Sequence, residues 1–258
     1  MKITVMSFNL RYDKPDPGVR QWKKRVGAIA SLIQHYQPDL LGTQEGKSHQ
    51  LLDLQALLPE YKFIGSDRTG TGQGEHCAVF YNPQRLKLQQ TQDFYLSDTP
   101  EIPGSITWGT RLPRMATWAN FEVSNPEVSV TIVNTHLDHE SAKARELGAA
   151  LISQRLAEFP LEHYLLLTGD FNANPSTLAR QIFLSPLANG KKLQDALATL
   201  PLEQQKTFHE FTGEAWDAID TIYGDRRFQI EQVLINSQQW EGVWPSDHFP
   251  VIVKLNML

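Results

Sequence analysis

VSVTIVNTHLDHESAKARELGAALISQRLAEFPLEHYLLLTGDFN, residues 128–172, decides how this chain is built. Its first nine residues alternate Val128, Val130 and Ile132 with Ser129 and Thr131, the two-residue period of a strand, and end on a polar His136. Glu140–Phe159 reads as a helix. His163–Gly169 is apolar again, a second strand that opens directly onto Asp170 and Asn172. The unit is therefore strand, helix, strand, with polar side chains at both strand ends.

The N-terminal half has the same grammar. Residues 2–12 alternate Ile3, Val5 and Ser7 with Lys2, Thr4 and Met6 before a polar tip at Asn9 and Arg11. A helix is predicted over Gln21–Gln37, where Trp22, Val26, Ile29, Leu32, Ile33 and Tyr36 recur at three- and four-residue spacing until Pro38 stops it. Asp39–Gln44 is a short apolar strand that delivers Glu45, and Ser48–Leu58 carries a helical stripe through Leu51, Leu54 and Leu58. Further strands are read at 61–66, 77–82, 86–95 and 114–123, then at 218–223, 228–236 and 249–255. With no low-complexity stretch or Gly/Ser linker, 1–258 is expected to be a single domain. The expected class is α/β, a four-layer sandwich of two mostly antiparallel sheets flanked by helices.

Composition narrows the function. The chain has 258 residues, 24 Lys+Arg against 29 Asp+Glu, a formal charge of −5 and one cysteine. A domain that grips duplex nucleic acid through many phosphates is usually basic, so this balance argues against that mode of binding. One Cys, Cys77, cannot form an internal disulfide, and the chain reads as a cytoplasmic protein without signal peptide or membrane span, expected to be a monomer.

The polar residues at strand ends form the functional candidate. Phe8-Asn9, Gln44-Glu45, Asn134-Thr-His-Leu-Asp-His139, Gly169-Asp-Phe-Asn172, Ile219-Asp-Thr-Ile222 and Pro245-Ser-Asp-His-Phe-Pro250 bring oxygen ligands, histidines and no thiolate. Such a set suits Mg²⁺ or Mn²⁺ and is poor for a structural zinc. Mg²⁺ commonly shares protein carboxylates with substrate phosphate oxygens, which points to phosphoryl chemistry. Asp220, inside an apolar strand, needs a buried partner, and His248 is the candidate.

These motifs, in this order over residues 8–250, resemble the endonuclease/exonuclease/phosphatase superfamily with its deoxyribonuclease I-like fold; GTRLPRMATW (109–118) and NTHLDH look most like bacterial members near its deadenylase-like branch. The resemblance implies a metal site of Glu45, Asn9 and Asp247. It also implies a catalytic set of His136 at the scissile phosphate, Asp170 on the attacking water, Asn172 on the developing charge, and the Asp220–His248 pair. Arg11, where some nucleases have an acidic residue, is expected with Arg114 and Arg111 as a phosphate clamp. Asn134, Asp138 and a stacking Trp108 complete the expected substrate contacts.

The reaction expected is in-line attack by water on a small phosphomono- or diester. The alternative is a 3′–5′ exonuclease or endonuclease on single-stranded nucleic acid. A metallo-β-lactamase-type zinc site is weakened because Asn134 stands where its first His belongs, and an inert binding module would not need every motif filled. The Gly-rich Thr69–Glu75 lacks the Lys-Ser/Thr of a phosphate loop and reads as a mobile hairpin or substrate-side loop. The segment 97–111 is expected to wall the cleft.

Overall fold

The computed structural model describes residues 1–124 and 127–257. The strands are β1 (Lys2–Asn9), β2 (Leu40–Gln44), β3 (Lys62–Ile64), β4 (Val79–Tyr81), β5 (Leu86–Tyr95), β6 (Met115–Ser124), β7 (Glu127–His136), β8 (Tyr164–Asp170), β9 (Leu193–Asp195), β10 (Asp220–Asp225), β11 (Phe228–Ile235) and β12 (Val251–Met257). The α-helices are α1 (Trp22–Tyr36), α2 (Ser48–Leu57), α3 (Ala142–Glu158) and α4 (Leu178–Leu184). They build two six-stranded sheets, ordered β11-β12-β1-β2-β4-β3 and β5-β6-β7-β8-β10-β9. Each sheet is antiparallel except at its centre, where β1 pairs with β2, and β7 with β8, in parallel.

Period-two patterning produces the layers. In β1, Ile3 and Val5 face the opposite sheet, while Met6 and Phe8 lie under α1 and α2. In β8, Leu166 faces inward, and Leu165 and Leu167 meet α3 and α4. These central strands are covered on both sides and so need apolar residues on both. A fully buried Leu or Ile contributes roughly 1.5–3 kcal/mol relative to exposure.

The helix ends follow from local chemistry. α1 stops where Gln37 turns left-handed (φ 46°) and donates its N–H to Ile33 O at 2.8 Å, directly before Pro38. α3 starts at Ser141, whose side chain accepts from Ala144 N at 3.1 Å. The sequence reading has neither α4 nor β9. Their pattern is broken by a buried ion pair, Arg180 Nη2 to Asp195 Oδ2 at 2.6 Å, which places charges where a periodicity argument requires apolar side chains.

Asn134, expected at the substrate, is instead a bridge between the sheets. Its side chain is buried, donating to Thr43 O (2.8 Å) and Ala78 O (3.0 Å) and accepting from Gln44 Nε2 (2.8 Å) and Thr168 Oγ1 (3.0 Å). Gly42 makes room for it. A Cβ there would stand 2.2 Å from Thr168 Oγ1 and 2.6 Å from Asn134 Oδ1, so the sheets approach too closely for any other residue. Both parallel pairs are thereby fixed with their C-terminal ends on one edge of the sandwich.

Candidate active site

Pairing registers place the polar strand ends together. Asn9 is opposite Gln44 in the first sheet; in the second, Asp170 is opposite both His136 and Asp220. Just beyond the strands, Arg11 (φ 57°), Glu45 (φ 65°) and Asn172 (φ 47°) take the left-handed conformation that side chains with a Cβ disfavour. Each such residue costs of order 1–3 kcal/mol, and such strain clusters at functional sites. Here each turn brings a polar side chain to one cleft of about 520 Å³.

Asn9 and Asp170 organise the floor. Asn9 Nδ2 donates to Glu45 Oε1 at 3.1 Å and Asp170 Oδ2 at 3.0 Å, while its Oδ1 accepts from Arg11 N at 2.9 Å. Asn9 thus positions two carboxylates, and its oxygen has one lone pair engaged by Arg11 N. Glu45 Oε2 accepts from Tyr12 N at 3.0 Å, and Asp170 Oδ1 from Asn172 N at 2.9 Å. His136 Nε2 and His248 Nε2 stand 3.5 and 3.9 Å from Asp170 Oδ2. His248 Nδ1 meets Asp220 Oδ2 at 2.8 Å, the pairing expected from sequence, and Thr207 Oγ1 donates to the same oxygen at 2.6 Å.

The electrostatics separate these groups. Burial works against charge on His248, yet Asp220, Asp170 and Asp247 raise its pKa far above the usual imidazole value, so it is a cation. Burial, together with the arginines Arg114 and Arg68, holds His136 well below that value and neutral. Burial and then Asp220 push Asp170 above the ordinary carboxylate range. Glu45 goes the other way: burial is outweighed by His248, Tyr12 N–H and Asn9, and it stays ionised.

The expected phosphate cations lie along the rim. Arg11 Nη1 is 3.3 Å from Asp247 Oδ2, and among the described residues Asp247 joins no group of carboxylates and imidazoles close enough to share an ion. Arg114 is buried, with Nε 3.3 Å from Asp138 Oδ2 and Nη2 2.7 Å from His139 Nδ1. Arg111 lines the cleft but is exposed, 3.2 Å from Glu140 Oε1. Asp138 is not in the cleft lining. It orients Arg114 and accepts from Glu140 N and Ser141 N at 3.0 and 2.7 Å. Trp108 also lies outside it, its Nε1 donating to Asp98 Oδ1 at 2.7 Å and its ring packed near α3.

Several contributors escape a sequence reading. Arg25 is fully buried on α1 and donates to Arg20 O (2.8 Å), Leu10 O (2.9 Å), Arg11 O (3.1 Å) and Pro245 O (2.6 Å), clamping the β1 exit to the segment before His248. A sequence signal existed, since Arg25 sits within the apolar stripe of the helix. Arg68 and Glu75 form a bidentate pair, 2.8 Å at each contact, at the ends of the Gly-rich loop. Asp67 closes that loop by accepting from Thr69 N, Gly72 N and Gly74 N at 2.9, 2.6 and 3.0 Å. Asn174, Phe208, Asp217 and Ile219 line the cleft further along.

Glu45, His136 and Asp170 offer ligand atoms within 4.8 Å of one another. Two carboxylates and one imidazole, one carboxylate ionised and pinned, fit a hard divalent cation that retains part of its water shell. Among the described residues Asp138 and His139 join no such group, which removes the geometric basis of the zinc-hydrolase alternative.

Known proteins share this fold. A model of the Endonuclease/Exonuclease/phosphatase family matches residues 6–248. An endonuclease/exonuclease/phosphatase structure from Bacteroides vulgatus is 29% identical, covering 100% of both chains with a TM-score of 0.92. The mannosyl-6-phosphatase of Bacteroides thetaiotaomicron is 32% identical, covering 98% of this chain and 99% of its own, TM-score 0.90. Carbon catabolite repressor protein 4 homolog 4 of Arabidopsis thaliana is 26% identical over 91% of this chain and 69% of its own length.

Proposed function

The chain belongs to the endonuclease/exonuclease/phosphatase family, and from that premise we propose that it hydrolyses phosphate esters of small molecules, with Mg²⁺ or Mn²⁺ as cofactor. The observation that carries this reading is the Asp170 hub. One buried carboxylate is held by Asn9 beside ionised Glu45, flanked by neutral His136 and cationic His248, at the floor of a cleft rimmed by arginines.

Roles follow from position. Glu45, with Asp170 and His136, would hold the divalent cation, which when bound supplies charge neutralisation at the phosphoryl oxygens. Asp170 Oδ2 orients the attacking water and accepts its proton. The charge on His248, kept by Asp220, faces the oxygens that become more negative as phosphorus turns five-coordinate. Asn172 donates one amide hydrogen to Leu137 O at 3.0 Å and has a second for the same oxygens. Arg11 and Arg114 anchor the phosphoryl group, and Asp247 aims Arg11.

A sugar phosphate is the favoured substrate. The likeness to a mannosyl-6-phosphatase supports it, and Asn174 and Asp217 offer hydroxyl-binding groups beside the apolar Phe208 and Ile219. Single-stranded nucleic acid is the second reading, favoured by Tyr12, whose ring has Arg11, Lys14 and Lys47 at 5.2, 5.6 and 5.2 Å. A hydrolysis panel of sugar phosphates, nucleotides, bis-p-nitrophenyl phosphate, oligo-RNA and oligo-DNA, with Mg²⁺, Mn²⁺ or EDTA, tests both. Oligonucleotide cleavage faster than every small ester would reverse the ranking, and activity undiminished by EDTA would refute the metal requirement.

A further inference from the structure

We propose that Arg111 is a latch exchanged between the protein and its substrate: Glu140 holds it at the rim of the free enzyme, and it leaves that carboxylate for a phosphoryl oxygen of the bound ester. Glu140 therefore competes with the substrate for one guanidinium. The proposal rests on the phosphoester reading above and adds to it a binding residue and the contact that restrains it.

The cleft is lined by Arg11, Arg68, Arg111 and Arg114, and each has a carboxylate partner. Three of these pairs are fixed. Arg11–Asp247, Arg68–Glu75 and Arg114–Asp138 are made by side chains no more than 21% exposed, and separating any of them would strand a charge away from water. These guanidiniums can add a substrate contact but cannot leave their partners. Arg111 differs, because its side chain is 71% exposed and that of Glu140 49%, with Nη2 3.2 Å from Oε1. Water screens such a pair, so little stability is lost when it opens. A phosphoryl group offers the guanidinium two oxygens matched to its fork.

The backbone around Arg111 is free to follow. Gly109 turns left-handed at φ 78°, a conformation that favours glycine, and a Cβ there would meet nothing within 4 Å. Among the described residues the main chain of 110–113 makes no hydrogen bond, and the segment is tied down only at Arg114, whose O accepts from Leu96 N at 2.7 Å. Glu140 stays behind when Arg111 departs. Its N–H donates to Asp138 Oδ1 at 3.0 Å, and its Oε1 also lies 3.3 Å from His139 Nε2. The exchange therefore ends at Glu140 and leaves the buried Arg114–Asp138 pair intact.

Steady-state assays with Mn²⁺ on p-nitrophenyl phosphate and fructose 1,6-bisphosphate test the latch. Arg111→Ala should raise KM about fivefold, the loss of one charge-assisted contact at a screened rim, with kcat within about twofold of wild type. A rise with p-nitrophenyl phosphate, which has a single phosphoryl group, puts Arg111 on the reacting phosphate; a rise confined to the bisphosphate puts it on the second one. Glu140→Gln keeps the shape and removes the charge, and should lower KM for the same ester about threefold. In an Arg111→Ala background it should change nothing, since the two residues act through one contact. An unchanged KM on both esters in Arg111→Ala, an unchanged or raised KM in Glu140→Gln, or an equal drop in Glu140→Gln with and without Arg111 would each overturn the latch. Should the wild type hydrolyse neither these esters nor any of the panel above, the phosphoester reading fails separately. The latch is then judged by calorimetric titration with inorganic phosphate and Mn²⁺: weaker binding in Arg111→Ala and tighter binding in Glu140→Gln sustain it, and binding equal to wild type in either variant refutes it.

Discussion

Asp170 is the residue on which the proposed chemistry turns, because three hydrogen-bonding or charged neighbours converge on its Oδ2. Asp170→Asn keeps the shape and removes the proton acceptor. Its kcat should fall by about 10²–10⁴, the usual contribution of a positioned acid or base, with KM nearly unchanged in steady-state assays. Asp220→Asn acts through His248. Losing that carboxylate lowers the imidazole pKa, so the cation is lost at a lower pH. The alkaline limb of the kcat/KM profile should move towards neutrality, and an unmoved limb would show that His248 is not the group reporting there. The sequence makes both residues legible because a carboxylate in an apolar strand and a His beside an Asp are chemically anomalous. It does not distinguish Asn134 and Asp138 from them, since side chains with the same donors serve a sheet bridge, a loop cap or a substrate.

At the scale of elements, the two parallel strand pairs carry the site, and the contacts between their sheets hold it in register. Asn134→Ala would leave Thr43 O, Ala78 O, Gln44 Nε2 and Thr168 Oγ1 without this partner. Ala78 O keeps Thr43 N and Gln44 Nε2 keeps Ser7 Oγ, so a loss of about 3 kcal/mol, measured by urea denaturation, is expected, each group left without a partner costing roughly 1–3 kcal/mol. Arg25 has the same function between a helix and two loops, and its role was hidden because a helical wheel records which face a residue occupies, not the carbonyls it reaches. Strands and helices with regular apolar periods were read to within a few residues. The unread elements, α4 and β9, are those whose burial relies on the Arg180–Asp195 pair.

For the whole molecule, metal and pH are the informative variables. A cation bound only by the folded state stabilises it by mass action, about 2.7 kcal/mol at one hundred times Kd. Mn²⁺ should therefore raise Tm in the wild type, EDTA should reverse the rise, and Glu45→Gln should abolish it. His209 governs part of the acid response. It is fully buried and stacked on Phe249 at 4.0 Å between ring centres, and burial lowers its pKa to about 4. Between pH 6.5 and about 4 the unfolded chain binds a proton at this position that the folded chain does not, so stability falls as pH falls through that window. In acid denaturation series, His209→Phe should flatten this segment by up to roughly 1 kcal/mol per pH unit. The amino-acid sequence by itself determined the strand–helix–strand units, the layered class and the types of polar group at the strand ends, because periodicity and strand termination are local properties of the chain. Only the tertiary structure decided which of those groups meet. It turned Asn134 and Asp138 to structural work, brought Arg68 to the cleft and set Arg25 as a clamp behind it, because convergence depends on sheet register and on distances between residues far apart in sequence, which no local pattern encodes.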